Sequence, residues 1–342
     1  MAFVKDIAAE HGVSPNHLLV QYLVRKTRAA DRGSKARRSL GNLYALLVLA
    51  EDYLEGRTSR FTDLLARMRR FPFGSKLQNH PLDNRLNDEF SRQLGVGGDL
   101  LPVRATIVAG QKGRAISTEL LSHDGADPNA AARVIVGVVQ TYMGLIAANQ
   151  STTLEEIQAI ETLEDLEEFF DGAFAPNCDA RLFEIASYVL LAEHYRGQHV
   201  FIGTTAATVQ SKPLALFRTG RTNANDGGID FVLQPLGRFF QVTETLDFRK
   251  YFLDFEKVNR YPISFVIKVD ADKDVVAARI RRDAERSGLY SDETIELYMG
   301  LFEEIFTLED LRRAAAGIPP AAVDRVKKEL ALQFQLEYGL LD

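Results

Sequence analysis

The chain has 342 residues, of which 46% are hydrophobic and 26% charged, with one Cys and no Trp. This composition excludes a disordered chain, a collagen-like repeat and a disulfide scaffold, and the length allows one large domain or two ordinary ones. The formal net charge is −6, yet residues 1–80 contain 14 Lys and Arg against 7 Asp and Glu. Their net charge of +7 leaves −13 for the rest, so a general polycation is excluded while a local basic surface is predicted.

Residues 1–150 are predicted to form a helical, basic region that binds DNA or dimerises. Residues 4–26 resemble a helix-turn-helix, with the turn at GVS, Ser14 as the cap of the second helix and Pro15 at its first position. Any two packed helices can use the same turn, so contact of this pair with DNA is one of two interpretations.

Three short basic clusters lie in this region, at residues 25–28, 32–38 and 66–70. Each cluster alone is compatible with a solvated helix face, whereas three of them within one segment favour a polyanion as partner. The candidates for DNA contact here are Lys35, Arg37 and Arg38.

The middle of the chain predicts strand and loops over residues 95–117, then a buried apolar helix over residues 128–149. Residues 151–172 contain eight acidic side chains and no basic one. We therefore expect an acidic helix or linker over residues 151–178 and a second domain over residues 179–342. No apolar stretch of the sequence reaches the length of a membrane span, and nothing demands an oxidising compartment, so a soluble cytoplasmic protein is expected.

The second domain shows an ordered series of elements between residues 179 and 269. Hydrophobic periodicity and β-branched runs predict a helix at 180–196, strands at 199–204, 229–234 and 238–245, a helix after residue 246 and a buried strand at 263–269. The chain is expected to be helical from residue 270 to its end.

This order, with an Asp that opens one strand and two polar residues in the next, resembles the core of the PD-(D/E)XK nuclease superfamily. The string GGIDFVLQPLGRFFQVTE is especially similar to type II restriction endonucleases and their Mrr-like relatives, some of which have Gln in place of Glu. Asp230 takes the place of the Asp, and Gln241 and Thr243 occupy the E-x-K positions. The resemblance covers about a quarter of the chain. It implies an α+β (α/β) fold with a mixed central sheet flanked by helices, a largely helical N-terminal region and a helical C-terminal tail.

The resemblance also implies a Mg²⁺ site that hydrolyses phosphodiester bonds. Asp230, Gln241 and Glu184 are its predicted ligands, because Mg²⁺ needs only one or two protein carboxylates besides water and substrate oxygens. Glu184 is chosen since it interrupts an otherwise apolar helix face, LFEIASYVLL. Gln241 is neutral and therefore a weaker ligand than the usual Glu.

The position of the usual Lys is the main departure from the family pattern. Thr243 cannot supply a positive charge, so Lys250 in the following helix is the candidate replacement, and Glu244 is a further candidate catalytic carboxylate. Strand alternation places Gln241 and Thr243 on one face of the strand.

Each candidate also has a purely structural interpretation. Asp230 could cap a turn, Gln241 and Thr243 could be ordinary solvent-facing strand residues, Glu184 could lie at the surface, and Lys250 could pair with Asp254 one helical turn away.

A polar loop supplies the last set of candidates for DNA contact, Arg218, Arg221, Asn223 and Asn225. Arg and Asn side chains suit bidentate contacts to guanine, adenine or phosphates, although a loop can use the same residues for internal turns.

The predicted function is that of a type II restriction endonuclease, a Mg²⁺-dependent enzyme that cleaves double-stranded DNA at specific sites. A homodimer would match the symmetry of a palindromic site, and the family implies a cognate DNA methyltransferase as system partner. The alternatives are a DNA-binding protein with an inactive nuclease core and a modification-dependent, type IV Mrr-like endonuclease.

Overall fold

The computed structural model describes residues 2–28, 34–75, 77, 79–219 and 228–340. The chain divides into two compact units, Met1–Thr152 and Thr153–Asp342, here called the N-terminal and C-terminal units. Together their elements make the chain an α+β protein.

The N-terminal unit is mostly helical, with one small antiparallel sheet of order β1-β3-β2. Its elements are α1 (Ala2–Glu10), α2 (Leu18–Lys26), α3 (Ser34–Arg37), α4 (Leu40–Leu54), β1 (Ser59–Arg60), α5 (Phe61–Arg70), α6 (Leu86–Leu94), β2 (Val103–Val108), β3 (Gln111–Ile116), α7 (Thr118–Leu121) and α8 (Pro128–Ala159). A π-helical turn, Pro81–Arg85, leads directly into α6. The β2–β3 hairpin agrees with the strands and loops predicted for this stretch.

The second helix of the predicted helix-turn-helix begins later than its sequence suggests. Its cap is His17, whose Nδ1 accepts the amide of Leu19 at 3.2 Å, whereas the Ser14 hydroxyl accepts the amide of Asn16. Leu19 and Val20, in the first turn of α2, are buried. A recognition helix reads bases with its exposed N-terminal residues, so the burial of Leu19 and Val20 favours the interpretation as two packed helices.

Helix α8 is the apolar helix that the sequence predicts to be buried. Among the described residues it alone is long and apolar enough to cross a membrane by length and composition, and 44% of its most apolar window is buried. Val134, Val138 and Tyr142 lie in the core of the N-terminal unit with no more than 1% of their surface exposed. Core helices of soluble proteins meet the same length criterion, so α8 is consistent with a soluble protein.

The C-terminal unit combines a mixed five-stranded sheet with helices on both faces. Its elements are α9 (Leu163–Phe174), α10 (Ala180–Tyr195), β4 (His199–Ile202), β5 (Gln210–Pro213), β6 (Ala215–Arg218), β7 (Phe231–Gln234), β8 (Arg238–Thr243), α11 (Phe248–Lys257), β9 (Ile263–Ile267), α12 (Lys273–Ser287), α13 (Asp292–Met299), β10 (Phe302–Phe306), α14 (Leu308–Ala316) and α15 (Val323–Tyr338).

The sheet has the order β10-β9-β8-β7-β6. Strands β6, β7 and β8 are antiparallel neighbours, and Phe231 lies opposite Phe240 in the β7–β8 hairpin. Strands β8, β9 and β10 are parallel, with α11 connecting β8 to β9. Parallel neighbours need such a crossover, which places α11 against one face of the sheet.

Alternation along β8 divides its side chains between two apolar layers. Phe240 contacts Tyr195 of α10 and Phe306, with ring centroids 6.2 and 6.1 Å apart. Phe239, one residue earlier, belongs to the opposite layer, which α11, α12 and α13 form with Phe265 and its neighbours. Gln241 and Thr243 therefore face α11, and both are buried. They are not solvent-facing strand residues.

Two parts of this unit differ from the sequence prediction. The predicted strand at 199–204 forms only an exposed two-stranded hairpin, β4–β5, and the first strand of the main sheet is β6. The C-terminal stretch is not wholly helical, because β10 pairs with β9. By contrast, the acidic segment follows one of its two predicted alternatives, because α9 is a helix that begins at a Thr162/Asp165 capping box and buries Leu166 and Phe170.

Candidate functional site

The candidate site lies where β7 begins and β8 ends. Asp230 directly precedes β7, and its amide donates to the carbonyl of Phe240 at 2.8 Å. The amide of Val242 donates in turn to Asp230 Oδ2 at 2.7 Å. Asp230 thus does more than cap a turn, because its carboxylate takes the place of a ladder carbonyl beside β8.

Asp230 carries a strongly perturbed ionisation. Loss of solvation and the negative charge of Glu184 raise the pKa of the Asp230 carboxyl to about 7. The hydrogen bond from Val242 and the positive charges of Arg181 and Lys250 act in the opposite direction. A carboxyl group with its pKa near neutrality is a frequent feature of functional sites.

Glu184 is held on α10 by arginines from two directions. Its Oε1 accepts from Arg218 of β6 at 2.7 Å, and its Oε2 accepts from Arg181 at 2.5 Å. Arg218 also lies 3.4 Å from Glu337 of α15, and the side chains of these three residues, Glu184, Arg218 and Glu337, are only 10–11% exposed. Glu184 is therefore no surface residue, and it acts on Asp230 through its charge while guanidinium groups occupy both its oxygens.

Lys250 lies beside Thr243. Its Nζ donates to Thr243 Oγ1 at 2.7 Å, from the first turn of α11 to the last residue of β8. It does not pair with Asp254, which instead accepts from Lys257 at 2.7 Å. The ammonium group therefore sits next to the strand position where the family pattern has its Lys.

One helical turn further along α11, Asp254 approaches Gln241. Asp254 is 1% exposed, and its Oδ2 and the buried Oε1 of Gln241 have no hydrogen-bond partner within the described ranges. A Cβ built on Gly228 would lie 2.9 Å from Gln241 Oε1 and 3.5 Å from Asp254 Oδ1. Glycine at position 228, with φ of +81°, leaves this space open.

A divalent cation fits this donor set. An unpartnered buried oxygen costs about 1–3 kcal/mol, and a cation near Gln241 Oε1 would relieve this penalty as well as the repulsion between Asp230 and Glu184. Mg²⁺ binds oxygen ligands and keeps several waters, so the carboxylate of Asp230 and the amide oxygen of Gln241 are donors of the kind that would hold it. Over the described residues no group of three or more His, Cys, Asp and Glu side chains is arranged to hold a metal.

Glu244 lies apart from these groups. It forms an ion pair with Lys268 at 3.1 Å, and the Lys268 ammonium lies 5.0 Å from the ring centroid of Phe183 on α10. Glu244 thus points to the α10 side of the sheet, opposite to Gln241 and Thr243, because it is one residue beyond Thr243.

The predicted DNA-contacting residues have separate positions. Arg218 is not available to DNA, since its guanidinium group is buried in the cluster with Glu184. Arg221, Asn223 and Asn225 lie outside the described residues, as does the side chain of Lys35. Arg37 is half-buried with its guanidinium 5.3 Å from the ring centroid of Phe73. Arg38 is exposed.

Sequence reasoning missed Arg181, Asp254 and Glu337 as neighbours of this site. Arg181 and Glu184 are three residues apart on one helix, a spacing that indicates an ion pair. Asp254 carries a weaker signal, as the acidic residue on the α11 face that also bears Lys250. Glu337 carries none, since only the packing of α15 against α10 brings it near Arg218.

No family model, curated protein or solved structure matches the chain.

Proposed function

We propose that the chain is a Mg²⁺-dependent endonuclease that cleaves double-stranded DNA at specific sites, of the type II restriction class. The observation that carries the proposal is the contact of Lys250 Nζ with Thr243 Oγ1 at 2.7 Å. It returns a positive charge to the strand position where Thr243 replaces the family Lys, two residues after Gln241.

The order of elements supports the same proposal. Helix α10, the antiparallel strands β6, β7 and β8, helix α11 and the parallel strand β9 follow each other as in a PD-(D/E)XK core. Asp230 and Gln241 stand on neighbouring strands of this series, and Glu184 stands on its first helix.

Each residue has a role that follows from its surroundings. Bound Mg²⁺ would supply positive charge to the scissile phosphate and lower the pKa of an attacking water. Asp230 and Gln241 Oε1 would hold it. Lys250 would stabilise the charge that develops on the phosphate, and Thr243 would fix the position of its ammonium group. Glu184, bound by Arg181 and Arg218, would hold α10 against β6, and its negative charge would raise the pKa of Asp230.

The test is incubation of the purified full-length chain with Mg²⁺ and unmethylated DNA of diverse sequence. We expect discrete fragments from the wild type and none from Asp230→Asn. Lys250→Gln should slow cleavage by about 100-fold or more, the usual contribution of a positioned charged group. Arg249→Gln, which removes an exposed cation from the same helix, is the matched control and should cleave like the wild type.

Two results would contradict the proposal. One is the absence of cleavage across all the unmethylated DNAs, and the other is undiminished cleavage by Asp230→Asn. Circular dichroism of each variant separates loss of activity from loss of folding.

The second candidate is a DNA-binding protein with an inactive core. It is favoured by the occupation of both Glu184 oxygens by guanidinium groups, which leaves Asp230 as the one carboxylate among the predicted ligands that is not paired with a cation of the described residues. Salt-sensitive binding of duplex DNA without Mg²⁺-dependent scission would select it. Cleavage of methylated DNA alone would instead select a modification-dependent endonuclease.

The proposed activity implies two partners, a second copy of the chain and a DNA methyltransferase. A homodimer would place two sites on the two strands of a palindrome, and a cognate DNA methyltransferase would protect the host DNA. Such a system operates in the cytoplasm.

A further inference from the structure

The N-terminal unit contains an open cleft of about 980 Å³ that is lined almost entirely by charged and polar side chains. The exposed cations come from three places in the fold. Arg38 follows α3, Arg85 and Arg92 lie on the π-helical turn and α6, and Lys112 lies on β3. Only Arg38 belongs to the basic clusters that the sequence singles out.

The charged side chains of the cleft fall into two groups, those that form ion pairs with each other and those that do not. Two of its acids are already neutralised, because Lys26 bonds Glu89 at 2.8 Å and Arg114 bonds Asp83 at 3.1 Å. Arg114 is further fixed by the carbonyl of Leu82 at 2.8 Å. These contacts hold the walls of the cleft and use up its buried cations.

The remaining cations have no such partners. The side chains of Arg38, Arg85, Arg92 and Lys112 are exposed and form no ion pair or hydrogen bond within the part of the chain that the structure describes. Asp88 is the one acid of the lining without an ion pair in the same ranges. Four free positive charges against one negative charge make the cleft attractive to anions.

We propose that this cleft binds the phosphate backbone of duplex DNA, independently of base sequence. Arg side chains match phosphate oxygens with bidentate hydrogen bonds, and backbone contacts of this kind fix a protein on DNA without reading bases. The lining has no Phe, Tyr or Leu to enclose a base or a small apolar ligand, which compact ligand pockets usually have. The inference rests on the proposed function for the choice of DNA as the polyanion.

The test measures binding of a fluorescent duplex of arbitrary sequence by anisotropy in EDTA, over a series of salt concentrations. The triple variant Arg85→Gln, Arg92→Gln and Lys112→Gln removes three cleft cations. Its matched control, Lys5→Gln, Arg104→Gln and Arg133→Gln, removes three exposed cations elsewhere in the same unit, of which Arg104 is paired with Asp99. Both variants lower the net charge by three.

We expect the cleft variant to bind about 100-fold more weakly and to lose about 2–3 from the slope of log affinity against log salt, since each phosphate contact contributes about 0.9. The control should keep the wild-type slope. Equal losses in both variants, or none in the cleft variant, would overturn the inference. So would displacement of DNA by inorganic pyrophosphate at stoichiometric concentration, which would indicate a small phosphate ligand.

The outcome separates this inference from the proposed activity. If the wild type binds DNA through the cleft but never cleaves it, the endonuclease proposal is wrong and the inference about DNA binding by the cleft stands. If the triple cleft variant still cleaves DNA and binds it as tightly as the wild type does, the inference about the cleft is wrong and the endonuclease proposal stands.

Discussion

Arg218 in the C-terminal unit and Arg85 in the N-terminal unit are both arginines, but one is buried among acids and the other is exposed. Arg218 is 11% exposed and bonds Glu184 and Glu337, whereas the side chain of Arg85 is exposed and has no ion-pair or hydrogen-bond partner in the described ranges. The difference arises because packing of α10, β6 and α15 brings two distant acids to Arg218. A positive charge in a loop or helix is therefore available to DNA only if no acid from elsewhere in the chain reaches it.

Replacement of the buried Arg218 should have the largest effect, a loss of stability that replacement of Arg85 does not cause. Arg218→Met leaves Glu184 and Glu337 buried with one counter-charge fewer, and truncation of one partner of a buried pair costs about 3–5 kcal/mol. We expect the urea midpoint of unfolding to fall accordingly. In Arg85→Met, the matched control, the free energy of unfolding should change by less than about 0.5 kcal/mol. Equal losses of stability in the two variants would show that the acids around Arg218 do not distinguish it from Arg85.

The ionisation of Asp230 gives an intermediate effect. Its pKa is raised from 3.8 in the unfolded chain to about 7 in the folded protein, so the folded state binds more protons between these values. Stability contributed by this group is therefore lost as pH rises from about 4 to 7 and stays lost above it. Between pH 5 and pH 8 the free energy of unfolding of the wild type should fall by roughly 2 kcal/mol relative to that of Asp230→Asn. This is the order of magnitude that linkage gives for such a difference in pKa between the unfolded and folded states.

Chemical unfolding of both proteins at the two pH values measures this difference. Addition of Mg²⁺ at pH 8 should restore stability to the wild type and have no effect on Asp230→Asn, because only the carboxylate gains from the cation. A stability difference that does not depend on pH would show that burial and Glu184 leave the carboxyl unperturbed.

A single cation of the cleft should give the smallest effect. Arg92→Gln is expected to lower the salt slope of duplex binding by about 0.9 and to leave the free energy of unfolding within about 0.5 kcal/mol. Titration of DNA binding and urea unfolding on the same sample test both statements. A large loss of stability would mean that Arg92 supports the fold, contrary to its exposed and unpaired position.

The sequence predicted the elements around the candidate site better than the sheet that contains them. The hairpin of β7 and β8 follows from the short apolar runs on each side of PLG, and α11 follows from Phe248, Tyr251, Phe252 and Phe255 at helical spacing. Strand β10 was missed because its sequence, FEEIF, carries two acids within a helical stretch. Strand β6 was missed because the apolar run at residues 199–202 has the stronger strand signal and pairs only with β5.

The candidate site shows the same limit. Asp230, Gln241 and Glu184 were chosen from local pattern, as a polar pair in a strand and an acid on an apolar helix face. The surroundings of Glu184 depend on distant parts of the chain, since Arg218 reaches Glu184 across 34 residues and also bonds Glu337 across 119. Spacing along the chain also favoured Asp254 as the partner of Lys250, whereas packing against β8 turned Lys250 to Thr243 and Asp254 toward Gln241.

The bond from the Val242 amide to Asp230 Oδ2 has a spectroscopic consequence. A backbone proton held by a charged acceptor is deshielded more than one held by a neutral carboxyl group, so the chemical shift of this amide follows the charge of Asp230. The strand thus carries its own reporter, one amide resonance that registers whether the neighbouring carboxyl is protonated, ionised or bound to a cation. Few side chains can be followed in this way without a label, because few of them stand in for a backbone carbonyl within a sheet.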